Sequence, residues 1–349
     1  MSNTPSKSAF PPRGNANGFV SFSRKIYNPL GFKHGYNFPL FVILVGALLG
    51  FSLSRFMLLD VGGTFLKGTL PSEVYYYIQS RGRIGITMHL GTIMPAAFLA
   101  CFQFVPVIRH KVILFHRING YIIILLLFVS NAGVFMIARH AAGGHPHTQT
   151  IIGILGTATT ISVSLAYYNI KRLRIDRHRA WMLRTWVWAG SIITLRLVLL
   201  PAMTIVDKME FYEAQRCDKI FFGYDSVGVP AAHNPTAQLY PGCGSDPATS
   251  KAHVAVPAGS AGPENVSVGY NLTFGLAAFI ALVIHVVGVE VYLHVTPGET
   301  ERLRVVSRER RAKAGMEADD TERAGEDDFG KYSSIDAESM PLGEVNSRR

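Results

Sequence analysis

Six long apolar runs decide what this chain can fold into. They are Phe38 to Leu59, Ile84 to Ile108, Ile118 to Ala138, Thr150 to Ile170, Met182 to Val206 and Leu272 to Val295. A bilayer core of about 30 Å is crossed by a helix of about 20 apolar residues. A helix is also one of the two structures that satisfy their own backbone hydrogen bonds in lipid. A soluble domain has no use for six such runs, so the sequence predicts an all-α polytopic integral membrane protein of about six spans. The composition agrees: of 349 residues 48% are hydrophobic and only 17% charged. The formal charge of +10 would suit a nucleic-acid binder. The basic residues, however, flank the apolar runs and do not line one polar face, which points to the lipid bilayer as partner and away from nucleic acid. The N-terminus shows no early apolar core followed by a small-residue cleavage site, so targeting is expected to fall to the first span.

Orientation follows from the connections. The stretch RHKVILFHR between runs two and three holds Arg109, Lys111 and Arg117, and KRLRIDRHR between runs four and five holds Lys171, Arg172, Arg174, Arg177 and Arg179. The other connections are poor in cations, so the positive-inside rule places these two, and both termini, in the cytosol. The expected organisation is then a disordered cytosolic tail (1–37), five spans (38–206), a lumenal or extracellular loop (207–271), a sixth span (272–295) and a disordered cytosolic tail (296–349) that turns from basic to acidic. The long loop carries two sequons, at Asn265 and Asn271, and a cysteine pair, Cys217 and Cys243. Glycans and a disulfide there would suit a protein of the secretory pathway, in the endoplasmic reticulum or plasma membrane.

Within this frame the polar residues of the spans stand out, because an ionisable group inside a membrane usually faces the bundle interior with a partner. By helical rise, His89, Asn131, Thr157 and Arg196 fall in the lumenal half, Arg196 roughly 15 Å below its helix end. The segment MIARHAAGGHPHTQT (136–150) connects spans three and four above them. Its Gly143-Gly144 and Pro146 read as turn formers, His145 and His147 as solvated loop residues, and His140 as the ring that joins the layer. The candidate catalytic residues are therefore His89, Asn131 and Arg196. His89 with His140 is the candidate pair for haem or a divalent metal. A second polar set, His110, His116, His178 and Arg179, with Gln103 and Glu290, is expected at the cytosolic face, and His285 lies between the two.

Two stretches, HLGTIMPAAFLACFQFVPVIRHKVILFHRINGY (89–121) and DRHRAWMLRTWVWAGSIITLR (176–196), carry a family pattern. It consists of His89, Gln103-Phe104, His116-Arg117-Ile118-Asn119-Gly120, His178-Arg179-Ala180-Trp181-Met182-Leu183-Arg184 and Arg196. It resembles a predicted-membrane-protein family of unknown function found in bacteria and fungi. The resemblance covers about 84–200, implies a four-helix core bundle, and brings no established reaction. Fungal members resemble accessory membrane proteins of specialised-metabolite pathways.

Three functions remain open on these residues. One is a membrane-embedded tailoring enzyme, metal- or acid/base-dependent, acting on an apolar small molecule. Another is a transporter or scaffold without catalysis; the spans contain Gly and Pro but no clear inverted repeat. The third is a b-type haem oxidoreductase resembling cytochrome b561. Against it, His116 and His140 are 24 residues apart, about 36 Å of helix, at opposite membrane edges. No phosphate-binding loop, nucleotide fingerprint or nucleophile elbow appears. The sequence leaves the oligomeric state undetermined.

Overall fold

The computed structural model describes residues 22, 24–25, 27–32 and 37–316. Most of the N-terminal tail, Lys33 and the acidic stretch after 316 lie outside the described residues. Six helices are long and apolar enough to cross a membrane: Asn37–Leu59, Ser80–Gln103, Ile113–Ile137, Pro146–Lys171, Ile175–Val206 and Pro263–Val295. The protein is an all-α polytopic membrane protein. Much of the expected lipid surface is plain in α1 (Asn37–Arg55), where only Ser52 is buried while Leu40, Val42, Ile43, Leu44 and Leu53 are exposed.

The connection after α1 is folded. Asp60 accepts the backbone N–H groups of Gly63 (3.1 Å) and Thr64 (2.9 Å) and so caps the next turn. α2 (Pro71–Tyr77) starts with proline, whose missing N–H costs nothing in a first turn, and places Glu73 near its N-terminus. α3 (Ser80–Gln103), the short α4 (Pro106–Lys111) and α5 (Ile113–Ile137) follow. α6 (Pro146–Lys171) comes after the glycine-rich turn; then α7 (Ile175–Ala189) and α8 (Ser191–Val206) share the fifth span and meet at Gly190.

The segment expected as a loop, 207–271, holds a small folded cap. β1 (Tyr212–Arg216) pairs antiparallel with β2 (His253–Pro257), in register from Tyr212 opposite Pro257 to Arg216 opposite His253. Between them α9 (Cys217–Ser226) is tied by a Cys217–Cys243 disulfide. α10 (Pro263–Val295) begins nine residues before the expected sixth span, because Pro263 and Glu264 open the helix well ahead of the apolar run. Both sequons therefore lie in α10. Asn265 is buried and donates to the Pro257 carbonyl, and Asn271 is fully buried. Asn271, expected as a glycan acceptor, has its side chain enclosed by the folded chain. The cap has its own apolar centre of Ile220, Val256, Ala258 and Val268. A further difference from expectation is at the C-terminus, where 297–313, assigned above to a disordered tail, form α11 (Pro297–Lys313).

The chain divides into two compact units. The first runs to Thr160 and resumes over Trp188–His285; the second holds Ile161–Val187 and the chain from Val286. In the first, α3 and α5 approach closely through glycine. A Cβ added at Gly133 would stand 2.6 Å from the Gly85 carbonyl oxygen and 2.8 Å from the His89 nitrogen, the small-residue contact that lets membrane helices pack backbone to backbone. Asn119 donates to the Leu99 carbonyl (3.0 Å) and Gln103 to that of His116 (3.2 Å), tying the same two helices near their other ends. In the second unit, Ser307 of α11 accepts the N–H of Ile175 (2.9 Å) and donates to Asp176 (2.8 Å), which anchors α11 to the start of α7. Arg184 and Glu290 form a two-pronged pair at 2.6 and 2.8 Å. His178 Nδ1 is 2.9 Å from the Ala166 carbonyl oxygen, and Arg179 lies over the ring of Tyr292.

Candidate functional site

The cluster that stands out lies in the first unit, where α2, the 138–145 turn, β1, α9 and the starts of α8 and α10 bring charged groups together. Glu73 Oε1 accepts the backbone N–H of Ala142 at 2.9 Å. Glu73 is half-buried, and burial raises its pKa above the usual carboxylate value; the Ala142 hydrogen bond, Arg196 and Lys219 pull the other way without cancelling it. Arg196 of α8 lies close enough to the Tyr270 phenol of α10 and to Glu73 to act electrostatically on both. Lys219 of α9 is only 7% exposed. Burial lowers its pKa, against the opposing pull of Glu213 and Glu73. Glu213 of β1 accepts from Asn271 Nδ2 at 3.1 Å and lies 3.3 Å from His145 Nε2. Two carboxylates, two cations, a phenol, an amide and an imidazole thus share one partly enclosed region.

The local folding that makes this possible centres on the turn. Ala142 and Gly143 adopt positive φ (44° and 78°), which aims the Ala142 N–H at Glu73. A side chain at Gly143 would collide with Asn271, its Cβ falling 2.6 Å from the Asn271 Cγ; the position therefore needs glycine for its backbone angle and for its closeness to α10. The hydrophobic residues Leu195, Leu199, Phe274, Ala277 and Ala281 pack α8 to α10 directly beneath, together with Ala142 and Tyr270. On the outer side, Lys219 lies over the Tyr76 ring at 5.4 Å, and His140 stacks on the same tyrosine at 4.2 Å and 9°. Burial, then Arg139 and Lys219, lower the His140 pKa.

The structure separates the residues expected to form one layer. Arg196 enters the cluster. His89 Nδ1 is bonded to Ser130 Oγ at 2.9 Å, in the α3–α5 contact. Asn131 donates to Thr160 (2.8 Å), Thr159 (3.1 Å) and the Gly156 carbonyl (3.3 Å), so it ties α5 to α6; Thr157 is exposed. His140 is engaged by Tyr76. His89 and His140 therefore have different partners, one inside the α3–α5 contact and one stacked on Tyr76. Among the described residues no three of His, Cys, Asp or Glu are gathered as a ligand set for a metal ion. His145, read above as a solvated loop residue, instead meets Glu213, and its ring stacks on His147 at 5.3 Å.

Glu73, Glu213 and Lys219 were missed because each lies in a polar connection, where a charged residue carries no signal of burial. One trace was present: the 138–149 turn carries histidines but no acid, so a carboxylate partner had to come from another segment.

Residues 86–217 match the family described as "Predicted membrane protein (DUF2306)". This is the resemblance drawn from 84–200, and it extends through Glu213 to Cys217. The chain is also similar to the "Ava biosynthesis cluster protein G" of Aspergillus versicolor, at 24% identity in an alignment that covers 79% of this chain and 94% of that protein. No solved structure matches.

Proposed function

We propose that this protein is a membrane-embedded enzyme of fungal specialised metabolism, performing acid–base chemistry on a small, largely apolar molecule where the spans meet the cap. The observation that carries the reading is Glu73: a half-buried carboxyl with a raised pKa, faced by Arg196 and Lys219. A carboxyl that holds its proton more tightly than one in water is a candidate for general acid–base catalysis. In this reading Glu73 moves the proton. Arg196, Lys219 and the Tyr270 phenol stabilise negative charge that develops on a substrate oxygen, in surroundings that screen charge less than water does. Apolar helix surface below the cluster suits a substrate arriving from lipid. The Aspergillus versicolor relative, named for a biosynthesis cluster, supports the metabolic setting. The disulfide and the distribution of cations support a cap on the extracytosolic side.

The test is metabolite profiling of a producing strain in which the gene is deleted and then restored as wild type, Glu73→Gln or Arg196→Gln, with membrane levels of each variant matched. An accumulating intermediate in the deletion and in Glu73→Gln supports the enzyme. Full product formation by Glu73→Gln refutes the assigned proton carrier, and a finished product trapped inside deletion cells favours transport.

A further inference from the structure

A second polar feature lies on the other side of Lys219. Glu264 Oε1 accepts the phenol hydrogens of Tyr224 (3.0 Å) and Tyr240 (3.1 Å), while Oε2 has no protein partner. Ser72 Oγ and Gln215 Nε2 are likewise buried without one. Ser72, Gln215 and Glu264 are 4%, 5% and 6% exposed, and all three, with Lys219 and Gly223, line one cavity of about 10 Å³. Leaving a buried donor or acceptor unsatisfied is costly, and three around one small space is not what chance packing gives. The groups are also complementary: an amide donor, a carboxylate acceptor and a hydroxyl that does either. A space of this size takes one water, which needs two to four polar partners.

We propose that this cavity is a built site for a single internal water, which accepts from Gln215 Nε2 and donates to Glu264 Oε2 and to Ser72 Oγ. The water joins α2, β1 and α10 at one point, and links Ser72 and Gln215 by hydrogen bonds to the Tyr224–Glu264–Tyr240 group. A cation is a poor occupant, because the Gln215 amide hydrogens present positive charge to the same space. The inference holds whether or not the cluster is catalytic.

Ser72 supplies the test. A buried hydroxyl with no partner is costly, so without a water Ser72→Ala raises the unfolding midpoint of the full chain. With the water in place the same change removes one of its hydrogen bonds, and the midpoint falls by a few degrees. An alanine variant as stable as wild type, or more stable, overturns the proposal. A density map that resolves ordered waters gives the second reading: a peak within hydrogen-bond distance of Glu264, Ser72 and Gln215 supports the site, and none there overturns it.

Discussion

Replacing Lys219 with methionine isolates the energetics of the charged cluster. Methionine keeps the length and apolar stem of the side chain, so packing changes little, but the ammonium is lost. Lys219 is 7% exposed and is drawn on by both Glu213 and Glu73. Taking one partner from a buried charge pair costs about 3–5 kcal/mol, because the remaining charge is left uncompensated. At about 2–4 °C per kcal/mol for a domain of this order, the unfolding midpoint should drop on the order of 10 °C. Cys101 provides the assay. It is the free thiol of the chain, buried in α3, so a thiol-reactive fluorogenic dye reports its exposure as purified protein is heated. Adding Glu213→Gln to Lys219→Met removes one stranded charge, and the double variant should recover part of the loss, with a coupling of about 0.5–3 kcal/mol. A single variant within about 2 °C of wild type, or strictly additive effects, refutes the reasoning.

The sign of the pH dependence at Glu73 can be worked from its raised pKa. The folded state then holds the proton more tightly than the unfolded state, whose value is near 4.5, so this residue lowers stability as pH rises above that value toward the folded pKa. Glu73→Gln mimics the protonated form; measured against it, wild type should lose ground from about pH 4.5 upward, and a difference that stays flat with pH counts against the buried carboxyl. At the α3–α5 contact, Gly133→Ala forces a methyl against two backbone atoms and should cost about 1–3 kcal/mol, read by the same dye; an unchanged midpoint shows that the helices part more easily than their spacing implies. Expression in a glycosylating host with Asn271→Gln should leave electrophoretic mobility unchanged, whereas a downward shift shows a glycan on a residue that the fold encloses.

The spans were legible because lipid imposes a simple rule of length and polarity, and each expected run lies within a few residues of its helix except where a polar turn extends it, as at Pro263. What the sequence hid is the set of partners. Depth along a helix places Arg196 near Asn131, but rotation about the helix axis decides which groups meet, and a depth estimate carries no rotation. Hence Arg196 turns to Tyr270 and Glu73, while Asn131 turns to α6. The exposed Thr157 and bonded Thr159 and Thr160 show the same point within one turn of helix. The folded cap was hidden for a different reason: its strands are only five residues long, and its order comes from contacts with distant segments.

The charged cluster draws its members from positions 73, 142, 196, 213, 219 and 270–271, most of the way along the chain. A ribosome therefore delivers Glu73 long before any of the cations that face it, and Tyr270 and Asn271 arrive only with the last span. Until then no charged group of the cluster has its full set of partners. Completion of the cluster is thus tied to insertion of α10, and a chain stopped short of that helix would carry every cation of the site yet lack the surface that closes it.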